Sequence, residues 1–256
     1  MDGGLNSQAW ERVNKVAGWL SPNAADFTYR LLQTDTFRKT SGALVEIGVH
    51  KGKYLTLIAH AAQGQDRRMI GIDGFFSGYQ RPLDDKWTDN ARSEIIANIR
   101  TLSESQSVQI VRANSEDLSP KAFKSLIQER CAFLSIDAGH DAHEVYNDFR
   151  ISCGNLAESC IIAADDVFNA RVPGVAEGVL RFLGSSEGRS LAPFATCGNK
   201  LFLSTRQFHE TYLIASKEFM GNATSEYLLN SKTYNDRNVQ IGFTPRLFGF
   251  ELVPFI

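Results

Sequence analysis

A chain of 256 residues with 43% hydrophobic and 22% charged side chains has ordinary globular composition, and at roughly 150 residues per domain it is one large domain or two small ones, of which one is expected. Its 27 Lys and Arg against 29 Asp and Glu leave a net charge of −2, which provides no field to gather nucleic acid or anionic lipid. No uncharged apolar run approaches the ~20 residues of a membrane helix, and the first twelve residues lack the regions of a signal peptide, so the chain reads as cytoplasmic.

Taken in chain order, Trp10, Val13, Val16, Ala17 and Leu20, then Phe27, Leu31 and Leu32, recur at helical spacing on either side of Ser21-Pro22-Asn23. Residues 1–40 are therefore expected to form a helical lead. Short β-rich runs at 43–47, 68–72, 108–111, 132–136 and 160–164 then alternate with helical stretches near 54–62, 91–102, 121–128, 143–153 and 175–183. That alternation predicts right-handed crossovers and a doubly wound, mostly parallel sheet in an α/β domain over 41–206. Two further β-rich runs, 194–196 and 200–204, flank Gly198-Asn199, a hairpin signal, so the sheet is expected to close on an antiparallel pair. Residues 207–256 hold a helical stretch and a β-rich aromatic end, expected as an extension packed on the same domain. Cysteines 131, 153, 160 and 197 show no CxxC spacing and read as buried small apolar residues.

The segment Glu46-Ile-Gly48-Val-His50-Lys-Gly52 lies between the first β run and the next helix, where a doubly wound sheet holds a nucleotide-like ligand. A dinucleotide loop asks for GxGxxG, but His50 and Lys53 stand at the second and third glycine positions, which disfavours a pyrophosphate. Asp73 ends the second β run, where a carboxylate can accept from both hydroxyls of a ribose. Together these fit adenosine without a diphosphate; separately, Gly48 also suits a plain strand end and Asp73 a turn. Lys51 and Lys53 read as solvated. The stretch 75–90, with Tyr79, Arg81 and Trp87, reads as a long loop that is either a substrate wall or aromatic packing on the N-terminal helices.

Asp137 ends the fourth β run and Asp165-Asp166 the fifth, with 28 residues from Asp137 to Asp165, close to the ~30 of one βαβ unit. Neighbouring strands would bring the three acids to one rim. Without a basic partner such carboxylates repel, which points to a hard divalent cation on oxygen ligands, Mg²⁺ first. The other reading is a solvated or helix-capping aspartate pair.

With these motifs the chain resembles the class I S-adenosylmethionine-dependent methyltransferases, whose first motif of an acid, one spacer, Gly, three spacers and Gly is matched by Glu46, Gly48 and Gly52. Downstream, Ser135-Ile-Asp137-Ala-Gly-His140, Asp148, Ala164-Asp165-Asp166, Pro173-Gly174-Val175 and Gly198-Asn199-Lys200-Leu201-Phe202 follow the order of the methyltransferase-24 group, similar to macrocin-type O-methyltransferases. The likeness spans about residues 44–204. It implies a Rossmann-like seven-stranded sheet and S-adenosylmethionine as cofactor. Glu46 would lie by the methionine amino end, Asp73 on the ribose, the loop Asn114-Ser115-Glu116 by the adenine, and Asp137 at the cofactor and the metal alike. It also implies Mg²⁺ or another hard divalent cation on Asp137, Asp165 and Asp166, and a hydroxyl acceptor on a small molecule or glycan of sugar or polyketide type. His140 takes the position where catechol-type relatives carry a basic residue, and imidazole titrates near neutral pH, so it is the expected base. Asp141 is the alternative, since the second acid common in sugar-type relatives is here Gly139; a structural hydrogen bond is the other role for His140. His143 reads as a surface or core residue. Two other classes remain: an adenosyl-binding module without turnover, against which the intact acids argue, and a metal-dependent hydroxylase, which would need a second well-placed histidine. Homo-oligomerisation is left open.

Overall fold

The computed structural model describes residues 4–77, 81–82, 85–103, 107–222 and 225–255, and the side chains of 76–88 lie outside that description. Its main sheet has eight strands: β1 (Ala43–Ile47), β2 (Arg68–Asp73), β3 (Ser107–Arg112), β4 (Cys131–Ile136), β5 (Leu156–Ala164), β6 (Leu191–Cys197), β7 (Lys200–Thr205) and β8 (Val253–Phe255). The order across the sheet is β8-β6-β7-β5-β4-β1-β2-β3. All neighbours run parallel except β7, which is antiparallel to both β5 and β6. The expected seven strands and closing hairpin are thus present, and the tail adds an eighth. That strand is three residues long and contains Pro254, which a sheet tolerates at an edge, so its apolar pattern was too short to read as a strand.

The helices are α1 (Ser7–Lys15), α2 (Pro22–Gln33), α3 (Asp35–Lys39), α4 (Lys53–Ala61), α5 (Asp85–Arg100), α6 (Pro120–Ile127), α7 (Ala142–Ser152), α8 (Pro173–Gly184), α9 (His209–Gly221) and α10 (Glu226–Gln240). Strand side chains alternate between the two faces, so β1 sends Leu44 into one core and Ala43, Val45 and Ile47 into the other. The first core collects α1 to α5 with α9 and α10; the second collects α6, α7 and α8. Every residue of β1 and β4 is buried, Glu46 and Ser135 included, as in central parallel strands covered on both faces.

Helix α5 begins at Asp85, six residues before the expected start; of its first six residues only Trp87 is apolar, which leaves a weak period to read. The stretch 75–90 is accordingly not one long loop: it holds a two-residue ladder, Phe76–Ser77 against Arg81–Pro82, and then the helix. Tyr79 and the side chains of Arg81 and Trp87, whose roles were expected there, lie outside the described residues. Among the described residues no helix is long and apolar enough to cross a membrane, and the four cysteines are free, with Cys131, Cys160 and Cys197 buried.

Candidate active site

At the C-terminal ends of the parallel strands, where the crossovers from β1 to β2 and from β4 to β5 lead away in opposite directions, lies a cavity of about 980 Å³. That is at the upper end of the roughly 300–1,000 Å³ usual for ligand sites. The sheet ladder fixes its rim: Gly48 N–H donates to Ile72 O (2.8 Å), Asp137 N–H to Ile47 O (2.8 Å) and Asp165 N–H to Ile136 O (3.0 Å). Glu46, Gly48, Asp73, Ser115, Asp137, His140, Asp165 and Asp166, all expected from the sequence, line this one cavity. Gly52 lies just behind it, as the left-handed residue that caps α4.

Gly48 has φ +87, and a Cβ there would stand 2.1 Å from the carbonyl oxygen of Asp137. Only glycine lets the ends of β1 and β4 lie this close. The loop beyond is clasped by Asp73: its Oδ2 accepts from the backbone N–H of Val49 (2.9 Å) and His50 (2.8 Å), and its Oδ1 from that of Phe75 (2.7 Å). A carboxylate has about four acceptor sites, so the clasp leaves room on Oδ1 for one hydroxyl rather than two. His50 and Phe75 both sit in left-handed backbone, at φ +50, held there by these bonds.

Glu46 is 2% exposed and its Oε2 has no hydrogen-bond partner. Burial pushes its pKa up to about 8, with Lys200 opposing and the charges of Asp73 and Asp165 adding. Across the cavity Ser115 is buried in a single turn, Ser115–Asp117, whose start is capped by Asn114 and whose Ser115 carbonyl accepts from Asn147 Nδ2 (2.9 Å).

The acids do not meet without a basic partner. Lys200 Nζ lies 2.7 Å from Asp165 Oδ2, is 3% exposed, and stands 4.2 Å from the centre of the Tyr54 ring. Burial alone would raise the Asp165 pKa, but the charge and hydrogen bond of Lys200 outweigh it and hold the carboxyl below the usual range. Asp137 is raised instead, by burial and then by the charge of Asp165. Lys200 is kept charged: burial opposes this, and Asp165, Tyr54 and Asp137 together overcome it. The antiparallel ladder makes the pair, since Ala164 stands against Leu201 and so sets Lys200 opposite Asp165; the Gly198-Asn199 turn announces the hairpin but not this register.

Asp166 departs from ordinary backbone, with φ +55. Asp165 Oδ1 accepts its N–H (2.8 Å), and its own Oδ1 accepts from Asn169 Nδ2 (2.9 Å) and Asn199 Nδ2 (3.2 Å). Its Oδ2 is left 3.4 Å from His140 Nε2. Asp137, His140 and Asp166 each offer a ligand atom within 4.8 Å of the others, a set that suits a cation. Asp141, the alternative base, instead forms the capping box of α7 with Glu144, whose Oε2 accepts its N–H (3.0 Å). His143 is on the surface, 3.0 Å from Glu116.

Besides Lys200 and Asn199, three residues outside the expected set belong to the site. Lys53, expected to be solvated, is buried and donates to Asn14 Oδ1 and Gly18 O, both at 3.0 Å, tying the N-terminal lead to α4. Trp19 is 89% exposed at the mouth and stacks on His50 at 5.6 Å. Asn169 has been described on Asp166. The lead is folded over the cavity by contacts between helices, which no local pattern announces.

A family model described as "Methyltransferase domain" matches residues 45–167, just under half of the chain, from the first motif to just past Asp166. No curated protein matches the chain in sequence. Among solved structures, CalS11, a TDP-rhamnose 3'-O-methyltransferase of calicheamicin biosynthesis, is 17% identical with a TM-score of 0.54 over 70% of this chain and 77% of its own. An O-methyltransferase from Bacillus cereus, in complex with S-adenosylhomocysteine, is 18% identical with a TM-score of 0.51 over 78% of this chain and 91% of its own. MycE of the mycinamycin pathway, in complex with Mg, S-adenosylhomocysteine and mycinamycin VI, is 14% identical with a TM-score of 0.51, and the match spans 78% of this chain but 53% of MycE. At such identities the likeness to the solved structures is one of fold, and residues 45–167, from the first motif to the aspartates at the end of β5, are similar to a methyltransferase domain.

Proposed function

We propose that the chain moves the methyl group of S-adenosylmethionine to a hydroxyl oxygen of a small molecule or glycan, with Mg²⁺ or a similar cation at Asp137 and Asp166 and with His140 as base. The observation that carries this is the adjacency, in one cavity, of two features. One is the orphaned Glu46 Oε2, which an ammonium such as the methionine amino group would satisfy; the other is the pair of carboxylates Asp137 and Asp166 with the His140 imidazole beside them. A backbone brought close by Gly48 suits a cofactor lying along the loop, and carboxylate donors suit a hard cation. The sugar acceptor in the name of CalS11 and the Mg bound by MycE support the same reading.

Cofactor and cation supply an electrophilic methyl group and a positive charge that favours an ionised acceptor oxygen. The chain does the rest. Glu46 anchors the amino end, and the loop clasped by Asp73 holds the adenosyl part, so that the methyl carbon faces the acceptor in one orientation. His140 takes the acceptor's proton. Asp166, 3.4 Å away, turns the imidazole and stabilises its cationic form, and the half-exposed ring passes the proton to solvent. The exposed Trp19 offers a flat apolar wall to the acceptor.

The test is transfer of a labelled methyl group to a panel of sugar nucleotides, glycosides and phenols, with and without EDTA. Labelled product that disappears on chelation, with S-adenosylhomocysteine still binding by calorimetry, is expected. His140→Ala should lower kcat by roughly 10²–10⁴ without changing cofactor affinity. Full turnover in EDTA, or an unaffected His140→Ala, would refute the metal or the base in turn.

A further inference from the structure

We infer that Lys200 withdraws Asp165 from the cation, so that this chain offers the metal two carboxylates, Asp137 and Asp166, and keeps Asp165 as a structural anion. The inference rests on the preceding reading that a divalent cation binds at this rim. Three acids from two neighbouring strands invite a three-carboxylate site, and the side-chain geometry divides them.

Both oxygens of Asp165 are already engaged: Oδ2 with Lys200 Nζ at 2.7 Å and Oδ1 with the backbone N–H of Asp166 at 2.8 Å. Lys200 has nowhere else to go. It is the first residue of β7, 3% exposed, and bounded by the ring of Tyr54, whose hydroxyl is fixed 2.8 Å from Thr28 Oγ1. Separating the pair would leave a buried ammonium without its counter-charge, which is strongly unfavourable. Asp166 is arranged in the opposite way. Two amides hold its Oδ1, and the left-handed backbone presents Oδ2 toward His140. Ligand atoms of Asp137, His140 and Asp166 lie within 4.8 Å of one another, and Asp165 belongs to no such group. The charges also balance: Lys200 offsets Asp165, and two carboxylates remain for a divalent ion. Lys200 is thus a positioning residue that sets how many anions the metal meets.

Mn²⁺ binding, followed by electron paramagnetic resonance and calorimetry on the protein loaded with S-adenosylhomocysteine, tests this without turnover. Lys200→Met should bind Mn²⁺ at least about tenfold more tightly, since a nearby positive charge is lost and Asp165 becomes free to reach the ion. The double variant Lys200→Met/Asp165→Asn replaces a neutral pair by a neutral pair and should return to the wild-type affinity. Asp166→Asn should weaken binding beyond either. A merely structural role for Lys200 would not tighten the site. Should Lys200→Met not fold, Lys200→Gln paired with Lys200→Gln/Asp165→Asn gives the same comparison. A double variant that binds far more weakly than wild type would show Asp165 to be a ligand already and overturn the inference. Absence of Mn²⁺ from the wild-type protein would overturn the metal reading itself.

Discussion

Glu46 illustrates how a residue's chemistry follows from its place rather than its type. With a carboxyl pKa pushed up to about 8 by burial, the free protein holds it largely protonated at neutral pH. A ligand ammonium favours the ionised form, so binding below pH 8 must release a proton. Affinity for S-adenosylhomocysteine is therefore expected to rise from pH 6.5 toward about 8 and then level off. Calorimetry in two buffers of different ionisation heat measures the released proton, and Glu46→Gln should bind more weakly and show no such release. A proton count that does not change in Glu46→Gln would place the titrating group elsewhere. At this scale the sequence was a good guide to which residues meet and a poor one to what occupies them. The acids at the ends of β1, β2, β4 and β5 are legible because strand ends in a parallel sheet share a rim. The Lys200 partner needs the hairpin register, and the three bonds on Asp73 need the loop's backbone, which propensity does not encode.

The loop from Gly48 to Gly52 shows the same division among elements. Its boundaries follow from β1 and α4, both legible to within a residue, because short β-rich runs and helical periods are strong signals. Its conformation is set by a residue 24 positions away, the carboxylate of Asp73. If that clasp holds the loop, Asp73→Ala should lower the melting temperature of the ligand-free protein as well as weaken cofactor binding. Losing an acceptor for three backbone N–H groups, one side open to water, should cost on the order of 1–3 kcal/mol, or several degrees for a chain of this size. Thermal unfolding of the free variant decides it: an unchanged melting temperature would refute the clasp.

Over the whole molecule, Phe27 is where distant parts of the chain are joined. Fully buried on α2, its ring lies 4.9 Å from that of Phe202 in β7, 6.0 Å from Phe219 in α9 and 4.3 Å from Phe255 in β8. The helical lead, the sheet and the tail therefore share one core, and we propose that residues 1–40, 41–206 and 207–256 unfold together. Phe27→Ala should cost about 3–5 kcal/mol and move a single calorimetric transition to lower temperature. Two separated transitions would instead make the tail or the lead an independent unit.

The strand that the tail adds governs what the molecule can do at its border. An unfinished sheet edge is a template on which another chain can lay a strand. Here the last strand is three residues long, Pro254 has no N–H to give, and its carbonyl already accepts from Asn235 Nδ2 at 3.2 Å. The border is closed to templated growth. Copies of this protein crowded together in a cell have no backbone handhold at β8, so runaway strand exchange into fibrils is blocked on that side by one proline and one asparagine.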